Sequence, residues 1–285
     1  MTARGGAAAP VVATAREALA AATDALGAAE CETPRLDAEL LIADALGVDR
    51  ATLLTEPDLG VRPPAARAIA ERVRRRVARE PVAYVLGVRG FRRLDLAVDS
   101  RVLVPRPETE LLVEVASELV PGPGWVHDVG TGSGAVALAL ADERPDLRVT
   151  ASDASEGAVA VARSNAERLG LDVVVTHAPG LPPPAGDGAA GGALDLVVAN
   201  MPYVRESEWR GLAPEITRFE PRAALVAGED GLEAVRALVR RVPSGTLLAL
   251  EHAPDQAADV RSLLRGTQTH PDLAGRDRVT VGRRP

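Results

Sequence analysis

The alternation of strand and helix patterns after residue 124 restricts the fold of this chain more than any other feature. Short apolar runs such as "WVHDVG", "RVTASD", "LDLVVAN" and "GTLLALEH" are interleaved with longer segments whose apolar residues have helical spacing. Strands that alternate with helices in this way form a parallel sheet with helices on both faces. The sequence therefore predicts an α/β fold, with "RVTVGRRP" as the last edge strand.

The first part of the chain has a different pattern, in which only helices are predicted. Helical spacing is clear in "VVATAREALAAATDALGAAE", "TPRLDAELLIADALGV" and "PPAARAIAERVRRRVARE". We expect a disordered N-terminus over residues 1–10 and a small helical domain over residues 11–80. Apolar bursts broken by Gly and Arg predict a hairpin-like linker over residues 81–104, and residues 105–285 then form the α/β domain.

Composition limits the classes of partner that this chain can have. The 285 residues carry a net charge of -7, so nothing attracts nucleic acid or an anionic membrane to the chain as a whole. A single cysteine and four histidines without ligand spacing predict no metal site and no internal disulfide. With no apolar run of the ~20 residues that a membrane span needs and no signal-peptide pattern, we expect a cytoplasmic protein.

A glycine-rich segment, "HDVGTGSGAVALALA", places Gly130, Gly132 and Gly134 between a predicted strand and a helix. Glycines there permit a tight turn and let a ligand approach the backbone and the N-terminus of the helix. Asp153 ends the next strand, where its carboxylate can accept hydrogen bonds from ribose hydroxyls. Together these residues predict a cofactor that contains adenosine. The same glycines also fit a dinucleotide fingerprint ending at Ala135, so NAD is an alternative.

A second polar segment follows the strand "LDLVVA" and reads Asn200-Met201-Pro202-Tyr203. The Asn200 amide and the Met201 carbonyl offer two hydrogen-bond acceptors, and Pro202 restricts Met201 to extended geometry. Tyr203 can form a flat wall against a planar group. Two acceptors that hold a planar NH2 group can leave its lone pair free to attack an electrophile. An ordinary turn that ends a strand is the simpler interpretation of such a short motif.

Several blocks of the sequence resemble, in order, those of the release-factor glutamine N5-methyltransferases. They include "EPVAYVLGVRGF", "VLVPRPETELLVE", "DVGTGSGAVALALA", "SDASEGAVAVARSNA", "EDGLEAVRALV" and "LEHAPDQ". The resemblance covers nearly the whole chain. It implies a Rossmann-like methyltransferase domain that uses S-adenosylmethionine (SAM), preceded by a helical domain that recognises the substrate. The implied reaction methylates the glutamine of the Gly-Gly-Gln motif in class 1 peptide-chain release factors.

The resemblance also implies roles for particular residues. Those expected to bind the cofactor are Gly130, Thr131, Gly132, Ser133, Gly134, Asp153 and Asn200. Those expected to be catalytic are Asn200, Met201, Pro202 and Tyr203, which stand at the family's Asn-Pro-Pro-Tyr motif. Met201 departs from that motif, and no residue of "THAPGLPPPAGDG" can be aligned with the family's adenine contact.

Other functions remain open on the residues alone. A nucleic-acid adenine N6-methyltransferase would use a similar corner to present an exocyclic amine, although the acidic balance of the chain argues against it. A glutamine methyltransferase that acts on another protein and a cofactor-binding module with little catalysis are further alternatives.

Overall fold

The computed structural model describes residues 10–181 and 194–285, which divide into two compact units. The helical unit runs from residue 10 to Gly87 and includes Pro214–Phe219, and the sheet unit comprises Val88–Ala213 and Glu220–Pro285. The predicted disorder of residues 1–10 falls, except for residue 10, outside the described residues, as does most of the Pro/Gly-rich stretch after residue 180. Within the described part, no helix has both the length and the apolar character needed to cross a membrane.

The described residues contain eleven α-helices: α1 (Ala15–Ala28), α2 (Pro34–Leu46), α3 (Arg50–Thr55), α4 (Pro63–Val77), α5 (Val82–Leu86), α6 (Glu110–Leu119), α7 (Ala135–Glu143), α8 (Glu156–Leu169), α9 (Pro214–Phe219), α10 (Glu233–Arg241) and α11 (Ala257–Ser262). Their strands are β1 (Ala13–Thr14), β2 (Gly60–Val61), β3 (Val88–Phe91), β4 (Leu94–Ala97), β5 (Trp125–Val129), β6 (Arg148–Asp153), β7 (Val174–His177), β8 (Leu196–Asn200), β9 (Leu247–Glu251), β10 (Arg265–Pro271) and β11 (Asp277–Arg283). Short 3-10 helices cover Pro107–Thr109, Glu206–Gly211, Arg222–Ala224 and Pro254–Gln256.

The helical unit is built on α1, α2 and α4, which correspond to the three predicted helices. The Thr14 side chain accepts a hydrogen bond from the backbone N–H of Glu17 and so caps α1, while Gly47, with a φ of 68°, ends α2. The apolar faces of these three helices form one core, which includes Leu19, Leu26, Ile42 and Ile69. The six-residue helix α3 and the two-residue pairing of β1 with β2 were not predicted, because so few residues give no periodic pattern.

Residues 82–86 form helix α5, although strands were predicted in this segment. Ala83, Tyr84 and Val85 are buried, and α5 packs on α2 and α4. Gly87, with a φ of 74°, ends the helix, and the predicted hairpin follows at once as β3 and β4. The apolar run "VAYVL" is compatible with a strand or a helix. It forms a helix because α2 and α4 offer it a surface to pack on.

The helical unit buries a cluster of charged side chains that are fully paired with one another. Arg76 donates from Nε to Asp37 at 2.7 Å and from Nη1 to Glu215 of α9 at 2.8 Å. Arg79 donates to both oxygens of Glu215, each at 2.7 Å. Burial alone raises the pKa of Glu215, but the hydrogen bonds from Arg79 and Arg76 outweigh it and lower the pKa to about 2. This carboxylate therefore stabilises the helical unit.

Glu215→Gln is expected to destabilise the helical unit by about 2–3 kcal/mol, because it removes the charge that compensates two guanidinium groups. Hydrogen exchange of the α1 and α4 amides measures this, since it reports on the helical unit alone. The loss should be full near neutral pH and should shrink as the pH falls from 4.5 toward 2, where the wild-type carboxylate itself becomes protonated. Glu71→Gln removes an exposed ion pair with Arg74 and is the control, with no measurable effect expected.

A seven-stranded sheet, in the order β10-β11-β9-β8-β5-β6-β7, organises the sheet unit. Strands β5 to β9 pair in parallel, whereas β11 pairs antiparallel with both β9 and β10. The predicted α/β fold class is confirmed. The prediction of "RVTVGRRP" as the edge strand is wrong, because β10 pairs outside it. Strand β10 was missed because its sequence, "RGTQTHP", is polar, as suits an exposed edge.

The central strands are buried on both faces, which explains their continuous apolar sequences. Residues 196–199 of β8 are fully buried between two apolar clusters, one that includes α6, α7 and α8 and one that includes α10 and α11. The order of the strands reverses between β5 and β8, so the loops that follow these strands diverge there. The last residues of the parallel strands, among them Asp153, Asn200 and Glu251, therefore meet at one edge of the sheet.

Candidate active site

Three glycines build the turn between β5 and α7. Gly130, Gly132 and Gly134 have φ angles of 75°, 57° and 87°, in the left-handed region that favours glycine. The backbone N–H groups of Gly130 and Thr131 both donate to the carbonyl of Ser152 in β6, at 2.9 and 3.1 Å. The turn is therefore tied to the neighbouring strand.

The absence of side chains at these glycines leaves room on the side of the turn where a ligand would lie. A Cβ on Gly132 would meet nothing within 4 Å, so its backbone borders open space. A Cβ on Gly130 would lie 3.3 Å from the sulfur of Met201, which places the turn directly beside the Asn-Met-Pro-Tyr segment. At Gly134 the close neighbour is Leu138 of α7, at 2.8 Å, so this glycine serves helix packing.

Asp153 ends β6 and turns its carboxylate toward the glycine turn. Its Oδ2 accepts a hydrogen bond from the N–H of Gly132 at 2.9 Å, and its Oδ1 accepts one from the N–H of Ser155 at 2.9 Å. A carboxylate oxygen has two lone pairs, so each can accept a further bond from a ligand hydroxyl. Its position and remaining acceptors fit the sugar of an adenosine.

A cleft of about 450 Å³ opens where these elements meet. Its wall includes Gly130, Gly132, Asp153, Asn200, Met201 and Pro202. Both the volume and the position at the carboxyl ends of the strands are typical of small-molecule sites in α/β folds. Thr131 and Ser133 line a smaller neighbouring cavity, which Asn200 also borders. Of the residues predicted for the site, Gly134 and Tyr203 line neither space.

The Asn200 side chain is held by a residue that the sequence did not single out. Its Nδ2 donates a hydrogen bond to the Thr109 hydroxyl at 2.9 Å, and Thr109 is buried. Since the oxygen and nitrogen of an amide lie on opposite edges, Oδ1 faces away from Thr109. Since Asn200 lines the cleft and its Nδ2 is engaged by Thr109, we infer that Oδ1 is the amide atom available to a ligand there.

Tyr203 is anchored just behind the cleft. Its carbonyl accepts a hydrogen bond from Gln256 at 2.9 Å. Burial, reinforced by the nearby Glu251 carboxylate, raises the pKa of the Tyr203 phenol to about 12. The phenol therefore remains neutral at physiological pH.

Two buried acids lie near the cleft. Asp128 of β5 accepts a hydrogen bond from the Thr131 hydroxyl at 2.6 Å, and burial raises its pKa to about 7. Glu251 ends β9 directly beside Asn200 and was missed from sequence, as was Thr109. A carboxylate that closes the apolar run "LLALE" at the carboxyl edge of the sheet is the signal that could have found it. Within the described residues, no group of three or more His, Cys, Asp or Glu side chains could hold a metal ion.

The sequence of this chain matches those of known protein families and of known enzymes over most of its length. A family described as the PrmC N-terminal domain matches residues 17–87, and a methyltransferase domain family matches residues 126–219. The release factor glutamine methyltransferase of Xylella fastidiosa (strain Temecula1) is 42% identical, over 91% of this chain and 97% of its own length. That of Vibrio cholerae is 40% identical over 94% and 96%, and that of Moorella thermoacetica 40% over 95% and 99%. The chain belongs to the release factor glutamine methyltransferase family.

Membership in the release factor glutamine methyltransferase family confirms the resemblance drawn from the sequence blocks, and it makes the chain an enzyme. It favours methyl transfer to protein glutamine over an NAD-dependent reaction or a binding module with little catalysis. Among solved structures, the hMettl16 catalytic domain in complex with MAT2A 3′UTR hairpin 6 aligns with a TM-score of 0.52 at 13% identity, over 75% of this chain and 80% of that one. At that identity the likeness concerns the fold alone.

Gly130→Ala is expected to weaken SAM binding about tenfold or more, because the added methyl group crowds Met201 and the wall of the cleft. Isothermal calorimetry with SAM measures this. Gly170→Ala is a matched control: Gly170 has a φ of 67°, and its Cβ would meet nothing within 4 Å. Both variants should lose about 1 kcal/mol of stability from left-handed geometry. Equal SAM affinities of the two variants would show that the glycine turn does not contact bound SAM.

Proposed function

We propose that this enzyme transfers the methyl group of SAM to the side-chain nitrogen, N5, of the glutamine in the Gly-Gly-Gln motif of class 1 release factors. The observation that carries the proposal is the orientation of Asn200. Its amide nitrogen is engaged by Thr109, so its oxygen is presented to the cleft that the glycine turn and Asp153 also border.

The cleft has the features needed to hold SAM, which supplies a methyl group activated by a positively charged sulfur. The bare backbone of Gly130 and Gly132 allows close approach of the methionine part, with Thr131, Ser133 and Gly134 shaping the turn. The Asp153 carboxylate would accept hydrogen bonds from the ribose hydroxyls.

Asn200 and Met201 then act on the substrate amide. An amide nitrogen is a poor nucleophile because its lone pair is delocalised into the carbonyl. The Asn200 oxygen and the Met201 carbonyl would each accept a hydrogen bond from one N–H of the substrate amide, which would turn the nitrogen lone pair toward the methyl group that SAM supplies. The nitrogen would form the new N–C bond as the C–S bond breaks, the sulfur would leave as a neutral thioether, and one N–H proton would pass to solvent. Catalysis comes from orientation and fixed dipoles and needs no covalent intermediate.

We assign recognition of the release factor to the helical unit. The match of residues 17–87 to the family's own N-terminal domain supports this, because the glutamine must be presented from a protein held elsewhere. The net charge of -7 argues against nucleic acid as a direct partner. A cytoplasmic location stays a prediction.

The proposed reaction is tested with labelled SAM and a purified class 1 release factor. Label is expected in the release factor, and mass spectrometry should locate it on the Gly-Gly-Gln glutamine. A release factor with that glutamine changed to alanine is the control and should stay unlabelled. Equal labelling of both proteins, or labelling of added DNA or RNA instead, would refute the proposal.

Asn200→Ala is expected to lower kcat by roughly 100-fold or more, because it removes an acceptor that is used in the transition state. SAM affinity, measured by calorimetry, should change little. Asn200→Asp is the matched variant: it keeps an oxygen toward the cleft and should retain more activity than the alanine variant. Full activity of Asn200→Ala would contradict the mechanism.

A further inference from the structure

The burial of the Glu251 carboxyl group in the sheet unit is not explained by the needs of folding. Glu251 is 1% exposed, and within the described residues neither of its side-chain oxygens has a hydrogen-bond partner of normal geometry. Burying an unsatisfied carboxyl group destabilises a fold, so such groups are rare and call for an explanation. Its strand pairs with β8 so that Glu251 lies directly opposite Asn200.

The groups whose charge or hydrogen bonding acts on Glu251 come from three elements besides its own. They are Thr109, Arg106 and Glu108 before α6, Tyr203 after β8, and Arg278 of β11. Arg278 is paired with Asp272 at 3.4 Å, so it is not dedicated to Glu251. Burial raises the pKa of Glu251 to about 7, and the nearby Thr109 hydroxyl opposes this rise.

The Thr109 hydroxyl can hold the Asn200 amide in either of two orientations. A hydroxyl has one hydrogen, so it can donate to the amide oxygen or accept from the amide NH2 group. In the structure it accepts from Nδ2. That arrangement is the stable one only when the hydroxyl hydrogen is donated elsewhere. If the amide turned over, Asn200 would present a donor to the cleft and would repel a substrate NH2 group.

We propose that Glu251 is a positioning residue, which accepts the hydroxyl hydrogen of Thr109 and thereby keeps the Asn200 oxygen turned toward the cleft. This inference rests on the proposed function, since it explains how the acceptor of that reaction is fixed. The ionised carboxylate can only accept, so it fixes the hydroxyl in one direction. The protonated acid can itself donate to Thr109, which frees the hydroxyl hydrogen for the wrong orientation of Asn200.

Variants at both positions test the relay in the full-length enzyme. Glu251→Met should lower kcat about tenfold or more while SAM affinity is kept. Its melting temperature should be unchanged or higher, because the cost of burying a carboxyl group away from water has been removed. A purely structural role predicts the opposite, namely a lower melting temperature. Thr109→Val should lower kcat similarly, and Thr109→Ser, which keeps the hydroxyl, should restore it.

The pH profile and a double-mutant cycle complete the test. The wild-type kcat should fall as the pH drops through about 7, and Glu251→Gln should flatten that fall, because its amide does not titrate. In the Thr109→Val background, Glu251→Met should cause no further loss. Independent effects of the two changes, or full activity of Glu251→Met or Thr109→Val, would overturn the relay. If Asn200→Ala is inactive in the same assay, such a result leaves the proposed role of Asn200 standing, whereas an active Asn200→Ala removes that role and the relay together. Labelling of the Gly-Gly-Gln glutamine by the wild-type enzyme tests the proposed function independently of both.

Discussion

The parallel pairing of β5, β6, β8 and β9 is the constraint on which the site depends. Parallel strands end at the same edge of a sheet, so residues far apart in sequence become neighbours there. Gly130, Asp153, Asn200 and Glu251 follow or end four different strands and converge on one cleft and its border. The antiparallel strands β10 and β11 extend the sheet on the far side of β9, and β11 carries Arg278, whose charge acts on Glu251. The chemistry therefore depends on the register of the sheet.

The sequence predicted those parts of the molecule whose signals are local. Helical periodicity, glycines at a strand-to-helix junction and carboxyl-terminal polar residues on apolar strands were enough for the fold class and for the main wall of the cleft. The failures share a physical cause. Residues 82–86 became helix α5 because two other helices cover them, and β11 became an internal strand because the polar β10 adds to its outer side. Tertiary pairing decided both, and no local pattern reports it.

The same reasoning explains why Thr109 and Glu251 were missed. Thr109 lies in a short 3-10 helix before α6, and nothing in "PRPETE" shows that its hydroxyl meets an amide from β8. Glu251 follows four apolar residues, where an acid normally marks the end of a strand that reaches solvent. It is instead fully covered. The functional meaning of both residues lies in their burial, which only the folded structure supplies.

Glu215 in the helical unit and the pair Asp128 and Glu251 in the sheet unit are buried acids of opposite kinds, one structural and the other functional. In the helical unit, Glu215 has two guanidinium partners and its pKa is lowered, so the charge stabilises the fold at neutral pH. In the sheet unit, burial raises the pKa values of Asp128 and Glu251, so ionising either group opposes folding. Acids whose pKa is raised by burial are concentrated at functional sites, because a fold tolerates them where they orient other groups.

Met201 combines a functional role with a structural one. Its carbonyl can serve as an acceptor whatever side chain it carries, and Pro202 still restricts its backbone. Its sulfur meanwhile packs beside Gly130, so the residue that departs from the motif also fills the contact between the motif and the glycine turn.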